Sequence, residues 1–211
     1  MFCICTAGHV NHGKTSLVKS LTGLDTDRLV EEKKRGLSIE LGYAKYQIDK
    51  NLYASIIDTP GHENFIRNMI SGAHAVDQVI LVIAANEGIM PQTIEHLDII
   101  KLLSIKNVIF VISKIDLSTS EEISKIKKDI NKIISNYSLN ENEIVEISNL
   151  QNKGVDKLKK IIKENITSSE KKSTQGGRFS VDRVFSLKGI GTIATGTLIG
   201  NTISNKSSLE I

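Results

Sequence analysis

Few cysteines, no long apolar run and little net charge mark this sequence, and each shortage excludes something. The longest apolar stretch, Val79 to Ala85, is far too short to span a bilayer. The N-terminus carries neither a basic lead-in nor a small-residue cleavage site, so no secretory signal is read there. A cytoplasmic protein that does not engage membranes is the expectation. The only cysteines, Cys3 and Cys5, have no further ligands nearby from which to build a zinc site. Alternating within Phe2–Ala7, they should face one side of a strand as small buried hydrophobes. A formal net charge of +3 is too weak to argue nucleic-acid binding. The basic stretch from Lys153 to Lys172 reads as a solvated helix face and its tail.

What is present suits a globular chain: 211 residues, long enough for one well-buried domain plus a remainder. Apolar runs at Phe2–Ala7, Leu52–Ile57, Val79–Ala85, Val108–Ile112 and Ile144–Ile147 are short, mostly rich in valine and isoleucine, and fit strands covered on both faces. Helical periods fall between them, at Thr15–Leu21, Glu63–Gly72, Pro91–Leu103 and Ser120–Tyr137, with another at Val155–Asn165. Ile123, Ile126, Ile130, Ile133 and Ile134 make a 3.6-period stripe, and Ser118 or Thr119 can cap that helix. Alternating units of this kind predict an α/β fold, a mostly parallel sheet with helices on both faces. Leu41–Ile48 and Leu52–Ile57 flank a short polar turn, which predicts a hairpin and one antiparallel edge strand.

The pattern changes after Ile166. Thr167–Gly177 is polar and apolar-poor, as in a linker. Arg178–Leu187 then alternates, Lys188–Gly191 supplies a turn, and Thr192–Leu198 is β-rich. The expected division is an α/β domain over residues 1–168, a linker over 169–177, and the incomplete opening of an all-β module over 178–211. So short a module cannot bury a core alone, so the sequence reads as part of a longer protein.

Gly8-His9-Val10-Asn11-His12-Gly13-Lys14-Thr15 fits G-x-x-x-x-G-K-[ST], with Ser16 continuing into the helix. It follows the first strand and opens the first helix. There the backbone N–H groups and the helix N-terminus converge on phosphate oxygens. Lys14 can reach the β- and γ-phosphates, and the Thr15 hydroxyl can bind Mg²⁺. Asp58-Thr59-Pro60-Gly61-His62 ends a strand, where Asp58 can hold a metal-bound water and Gly61 can bring its N–H to a γ-phosphate. Ser113-Lys114-Ile115-Asp116 ends another strand on the nucleotide-binding side of such folds. Asp116 can accept from guanine N1–H and the 2-amino group, donors that adenine lacks, and the Lys114 stem can cover the base.

These residues resemble a known family. Ser113–Asp116 is similar to the N-K-x-D guanine motif of GTPases, with Ser113 in the place of Asn and one contact shorter. Ser148-Asn149-Leu150 resembles the S-A-[LK] loop whose backbone touches guanine O6, with Asn149 in the place of Ala. G-H-V-x-H-G-K-T together with D-T-P-G-H is similar to the translational GTPases, including elongation factor Tu and the initiation-factor-two gamma subunit. Leu21–Leu29, Glu31–Gly36 and Leu37–Ala44 look like the selenocysteine-specific elongation factors within them, as do Asp182–Phe185 and Gly191–Thr197.

The resemblance implies a GTPase that binds GTP and GDP with Mg²⁺, carries selenocysteinyl-tRNA to the ribosome as a monomer, and hydrolyses GTP on ribosome stimulation. It implies that Ser38 in switch I binds Mg²⁺ and γ-phosphate through its hydroxyl. It further implies that His62 orients the attacking water, and that Asp182 and Arg183 hold the aminoacyl group, where a selenolate would favour an arginine partner. His9 and His12 are expected to shape the loop, while His74 and His96 are expected to do nothing chemical. An elongation factor Tu-like carrier and a non-translational regulatory GTPase are the other readings of the same motifs. A P-loop ATPase is a poorer one, because Asp116 would meet no donor.

Overall fold

A computed structural model describes residues 2–26, 38, 41–50, 52–61, 76–140, 143–168, 177–200 and 204. Two compact units divide the chain, residues 1–166 and 167–211.

In the first unit the strands are β1 (Phe2–Ala7), β2 (Gly42–Asp49), β3 (Leu52–Asp58), β4 (Gln78–Ala84), β5 (Val108–Ser113) and β6 (Val145–Glu146). They form one sheet in the order β2-β3-β1-β4-β5-β6. All neighbours run parallel except β2 and β3, the hairpin expected at the edge. The helices are α1 (Lys14–Thr22), α2 (Pro91–Leu102), α3 (Ser120–Tyr137) and α4 (Val155–Ser168). The helical segment expected at Glu63–Gly72 lies outside the described residues. No helix among the described residues is long and apolar enough to cross a membrane.

Strand alternation sorts the apolar residues into two cores. Cys3, Cys5, Leu81, Ile83, Phe110 and Ile112 face α2 and α3, with Leu97, Ile130 and Ile134 among the helix residues that meet them. Ile4, Ile80, Val82, Ile109 and Val111 face the other way, toward Leu17 and Val18 of α1 and Leu158 and Ile162 of α4. Burying each such side chain contributes roughly 1.5–3 kcal/mol. Both cysteines are buried within the first core as thiols rather than as a disulfide, and burial pushes the Cys5 thiol up.

Local signals set the boundaries. Thr119 caps α3 with a reciprocal capping box: its hydroxyl accepts the Glu122 N–H at 3.3 Å, and the Glu122 carboxylate accepts the Thr119 N–H at 2.8 Å. α4 runs through Ser168, three residues beyond the helix read from sequence and up to the expected linker at 169, keeping Ile166 buried. β6 is only two residues long, because the chain turns back at once: Ser148 and Lys153 exchange backbone hydrogen bonds at 3.1 and 3.0 Å.

The second unit contains the antiparallel hairpin of β7 (Gly177–Leu187) and β8 (Gly191–Gly200). The register shifts between Val181 and Arg183, so Asp182 is the extra residue of a bulge.

Candidate nucleotide-binding site

The C-terminal ends of β1, β3, β4 and β5 meet where the strand order reverses around β1, the place such sheets bind ligands. From Ala7 the chain turns on Gly8 (φ 126°), Asn11 (φ 61°) and Gly13 (φ 91°) before α1 begins. A β-carbon on Gly8 would lie 2.2 Å from the Val82 carbonyl oxygen, so close approach to β4 and backbone angle both require glycine. α1 starts with no side-chain cap, which leaves its first N–H groups facing the loop.

Lys14 is buried inside this turn and donates to the Gly8 and His9 carbonyls at 3.0 and 2.7 Å. An ammonium has three donors, so one is left for a ligand oxygen. Burial lowers its pKa to about 8, opposed by the charge of Asp58.

α2 holds the outside of the loop. The Gln92 carboxamide oxygen accepts the Val10 N–H at 3.1 Å, and His96 Nδ1 accepts the Gly8 N–H at 2.8 Å. The two side chains stand four residues apart on one helix face. His96, expected to do nothing chemical, has a structural task instead: it fixes the first residue of the phosphate loop. Burial depresses its pKa to about 3, with Lys14 adding to the effect, so the ring accepts as a neutral imidazole. His74 lies outside the described residues. His12 is fully buried, with Nδ1 3.3 Å from the Val82 oxygen and Nε2 3.7 Å from a Glu87 carboxylate oxygen. Burial takes its pKa to about 4, and its ring meets that of His9 edge to face at 5.1 Å.

On the other side, the hydroxyls of Thr15 and Ser38 lie 2.9 Å apart. Asp58 is buried, with one oxygen accepting from Thr6 at 2.9 Å and the other from Thr26 at 2.6 Å. Thr6 also receives the Thr59 N–H at 3.0 Å, which fixes the turn that follows. A β-carbon on Gly42 would come within 2.5 Å of the Thr26 β-carbon, so glycine permits this packing. Gly61 lies against the phosphate loop: its β-carbon would fall 2.4 Å from Lys14 Nζ and 2.6 Å from the Val10 nitrogen. Two hydroxyls and one oriented carboxylate are an all-oxygen donor set, which fits Mg²⁺ with waters and phosphate completing its shell. Thr6 and Thr26 were not singled out from sequence. Their only signal was proximity to motifs, because threonine in a strand or loop is usually unremarked.

The base-side loops are tied to the same turn. Ser113 donates its hydroxyl to the His12 carbonyl at 2.6 Å, keeping the link to the phosphate loop despite its short side chain. Lys114 adopts φ 54° and reaches Glu87 at 3.5 Å. Asp116 lies exposed in the short turn Ile115–Leu117. The Ile115 N–H donates to the Ile147 carbonyl at 3.3 Å, joining this loop to Ser148-Asn149-Leu150. The Ser148 hydroxyl accepts the Gln151 N–H at 3.2 Å, and Leu150 projects to solvent. The structure thus gathers Gly8 through Ser16, Ser38, Asp58, Gly61, Ser113, Lys114, Asp116 and Ser148 through Leu150 at one end of the sheet. His62 lies outside the described residues, and Asp182 and Arg183 belong to the second unit.

Residues 1–168 match the model of the elongation factor Tu GTP binding domain. The chain belongs to this family. It carries a GTPase domain of the translational kind, in the α/β fold expected. Among curated relatives it is 43% identical over 207 residues to a selenocysteine-specific elongation factor of Desulfomicrobium baculatum, covering 98% of this chain and 33% of that protein. The factor of the same name from Escherichia coli K12 is 34% identical over 206 residues, with the same coverage. A crystal structure of a bacterial selenocysteine-specific elongation factor superposes with a TM-score of 0.85 at 43% identity, covering 94% of this chain and 34% of that one. The resemblance read around switch I therefore extends along nearly all of this GTPase sequence. The chain spans about a third of the length of these two curated relatives.

Proposed function

We propose that this chain is the GTPase end of a factor that carries selenocysteinyl-tRNA to the ribosome and hydrolyses GTP there. The observation that carries the reading is the match to a selenocysteine-specific elongation factor over 98% of the chain. In this reading residues 1–168 form the GTP-binding domain, 169–177 a linker, and 178–211 the start of a β-barrel domain. The protein works as a cytoplasmic monomer.

Each residue has a chemical task. The loop from Gly8 to Ser16 binds the phosphates of GTP or GDP through backbone N–H groups, and Lys14 offsets their charge. Thr15, Ser38 and Asp58 hold Mg²⁺, which neutralises phosphate charge when bound. Gly61 reports the γ-phosphate through its N–H, so that switch loops order with GTP and release after hydrolysis. His62 orients the attacking water. Asp116 selects guanine, Lys114 covers its face, and the Ser148–Leu150 backbone approaches O6. Asp182 and Arg183 flank the aminoacyl group.

The test compares selenocysteinyl-tRNA with seryl-tRNA binding to the full-length protein in GTP. Tighter binding of the first is expected; equal affinity would sink the selenocysteine assignment and leave the GTPase. A second reading, another translational GTPase, draws on the relative named translation initiation factor 2 subunit gamma from Thermococcus onnurineus, 33% identical over 225 residues and covering 94% of this chain and 55% of that protein.

A further inference from the structure

Asp58 is held from two sides, and the two anchors differ in kind. Thr6, on β1, donates to one carboxylate oxygen at 2.9 Å, accepts the Thr59 N–H at 3.0 Å, and takes the Thr59 hydroxyl on its carbonyl at 2.6 Å. It ties β1 to the turn after β3, and Asp58 shares in that tie. Thr26 lies beyond the end of α1 at Thr22, outside any strand or helix, and is nonetheless buried. Its hydroxyl donates to the other Asp58 oxygen at 2.6 Å, the length of a charge-assisted O–H···O⁻ bond. Gly42 makes room for it: a β-carbon there would fall 2.5 Å from the Thr26 β-carbon and 3.2 Å from that of Asp58. Gly42 opens β2, so the residues that bound 27–41 on either side meet beside the carboxylate. Ser38 belongs to that interval, with its hydroxyl 2.9 Å from Thr15.

We infer that Thr26 is a positioning residue for the metal: it locks the Asp58 carboxylate and so couples the root of the segment read as switch I to Mg²⁺ affinity. This rests on the reading of Thr15, Ser38 and Asp58 as the Mg²⁺ site. With Thr6 as its sole anchor the carboxylate could still turn about its Cβ–Cγ bond. A second donor on the other oxygen stops that turn. A carboxylate has about four lone-pair sites, so two donors leave two for the metal's shell. Removing a partner that orients a metal-site group typically weakens the metal roughly ten- to a hundredfold. The coupling is reciprocal: what the Thr26–Asp58 bond adds to Mg²⁺ binding, bound Mg²⁺ adds to that bond. The metal thereby helps to hold the segment that carries Ser38 at its first residue.

The test uses the 211-residue chain and reads GDP affinity across a Mg²⁺ titration and in chelator. Thr26→Val keeps the shape of the side chain and removes its hydroxyl. It should raise the Mg²⁺ concentration for half-maximal tightening about tenfold or more, with affinity in chelator close to the parent's. Thr26→Ala, which has no bulk to misfit, should show the same shift, and Thr26→Ser should restore the parent's titration. Thr15→Ala serves as the control for the metal site itself. A shift in Thr15→Ala with none in Thr26→Val or Thr26→Ala overturns the inference and leaves the metal site standing. Equal losses with and without Mg²⁺ in those two Thr26 variants also overturn it, because they mark a residue that only supports the fold. No shift in Thr15→Ala would instead defeat the metal reading, and the inference with it.

Discussion

His96, on α2, accepts the N–H of Gly8 at 2.8 Å, joining two residues 88 positions apart in sequence. With Gln92 on Val10 it makes α2 the outer wall of the phosphate loop. An imidazole nitrogen can accept only while it carries no proton, and burial keeps His96 neutral. His96→Ala would leave a buried N–H unanswered, at a cost of about 1–3 kcal/mol. The expected result is a lower melting temperature and weaker GDP binding. His96→Asn, which offers an oxygen in place of Nδ1, should recover part of both. Equal losses in the two variants would show that the ring acts through its bulk alone.

The same burial predicts acid sensitivity. The pKa values of folded His12 and His96 are about 4 and about 3, against an ordinary 6.5. Below pH 6.5 the unfolded chain takes up protons that these two folded residues refuse. Unfolding then binds protons, so stability is full above pH 6.5 and is lost as pH falls from there, through 4 for His12 and through 3 for His96. Each histidine contributes a slope of up to about 1.4 kcal/mol per pH unit. Urea unfolding at pH 7.5, 6 and 5 should show the decline, and His12→Asn or His96→Asn should flatten it. Identical slopes in parent and variants would assign the acid loss to carboxylates.

The fold and the phosphate site were legible because each motif lies within one short stretch. The alternation of β1, β4 and β5, the isoleucine stripe of α3 and the β2–β3 hairpin all depend on local periodicity. Gly8 through Ser16 needs only the strand before it and the helix after it. What was not legible is pairwise and distant. Nothing near His96 announces that it will meet Gly8, and nothing near Thr26 announces that it will hold Asp58. Ser113 and Asn149 could each be seen as departures from a motif. Only the packing places them both over Gly13.

Thr15 and Ser38 test the metal reading. Their hydroxyls are 2.9 Å apart, on the helix and on the segment read as switch I. Thr15→Ala should lower GDP and GTP affinity in Mg²⁺ on the order of tenfold and change affinity in chelator much less. Ser38→Ala should act mainly on GTP, because its proposed partners include the γ-phosphate. Equal effects with and without Mg²⁺ would remove these hydroxyls from the metal site.

Gly61 and Gly23 separate the turn's function from ordinary glycine tolerance. A β-carbon on Gly61 would stand 2.4 Å from Lys14 Nζ and 2.6 Å from the Val10 backbone nitrogen. The lysine tip can swing aside, but the Val10 nitrogen is held by Gln92 at 3.1 Å. Gly61→Ala must therefore push the turn off the phosphate loop. Gly23 ends α1 at φ 75° with nothing within 4 Å of its would-be β-carbon, so Gly23→Ala costs only the left-handed strain of about 1–2 kcal/mol. The first variant should keep GDP binding but lower the GTP-to-GDP affinity ratio about tenfold or more, the loss of at least one charge-assisted hydrogen bond. The second should melt earlier with that ratio intact. A Gly61→Ala protein with the parent's ratio would mean that this turn does not sense the γ-phosphate.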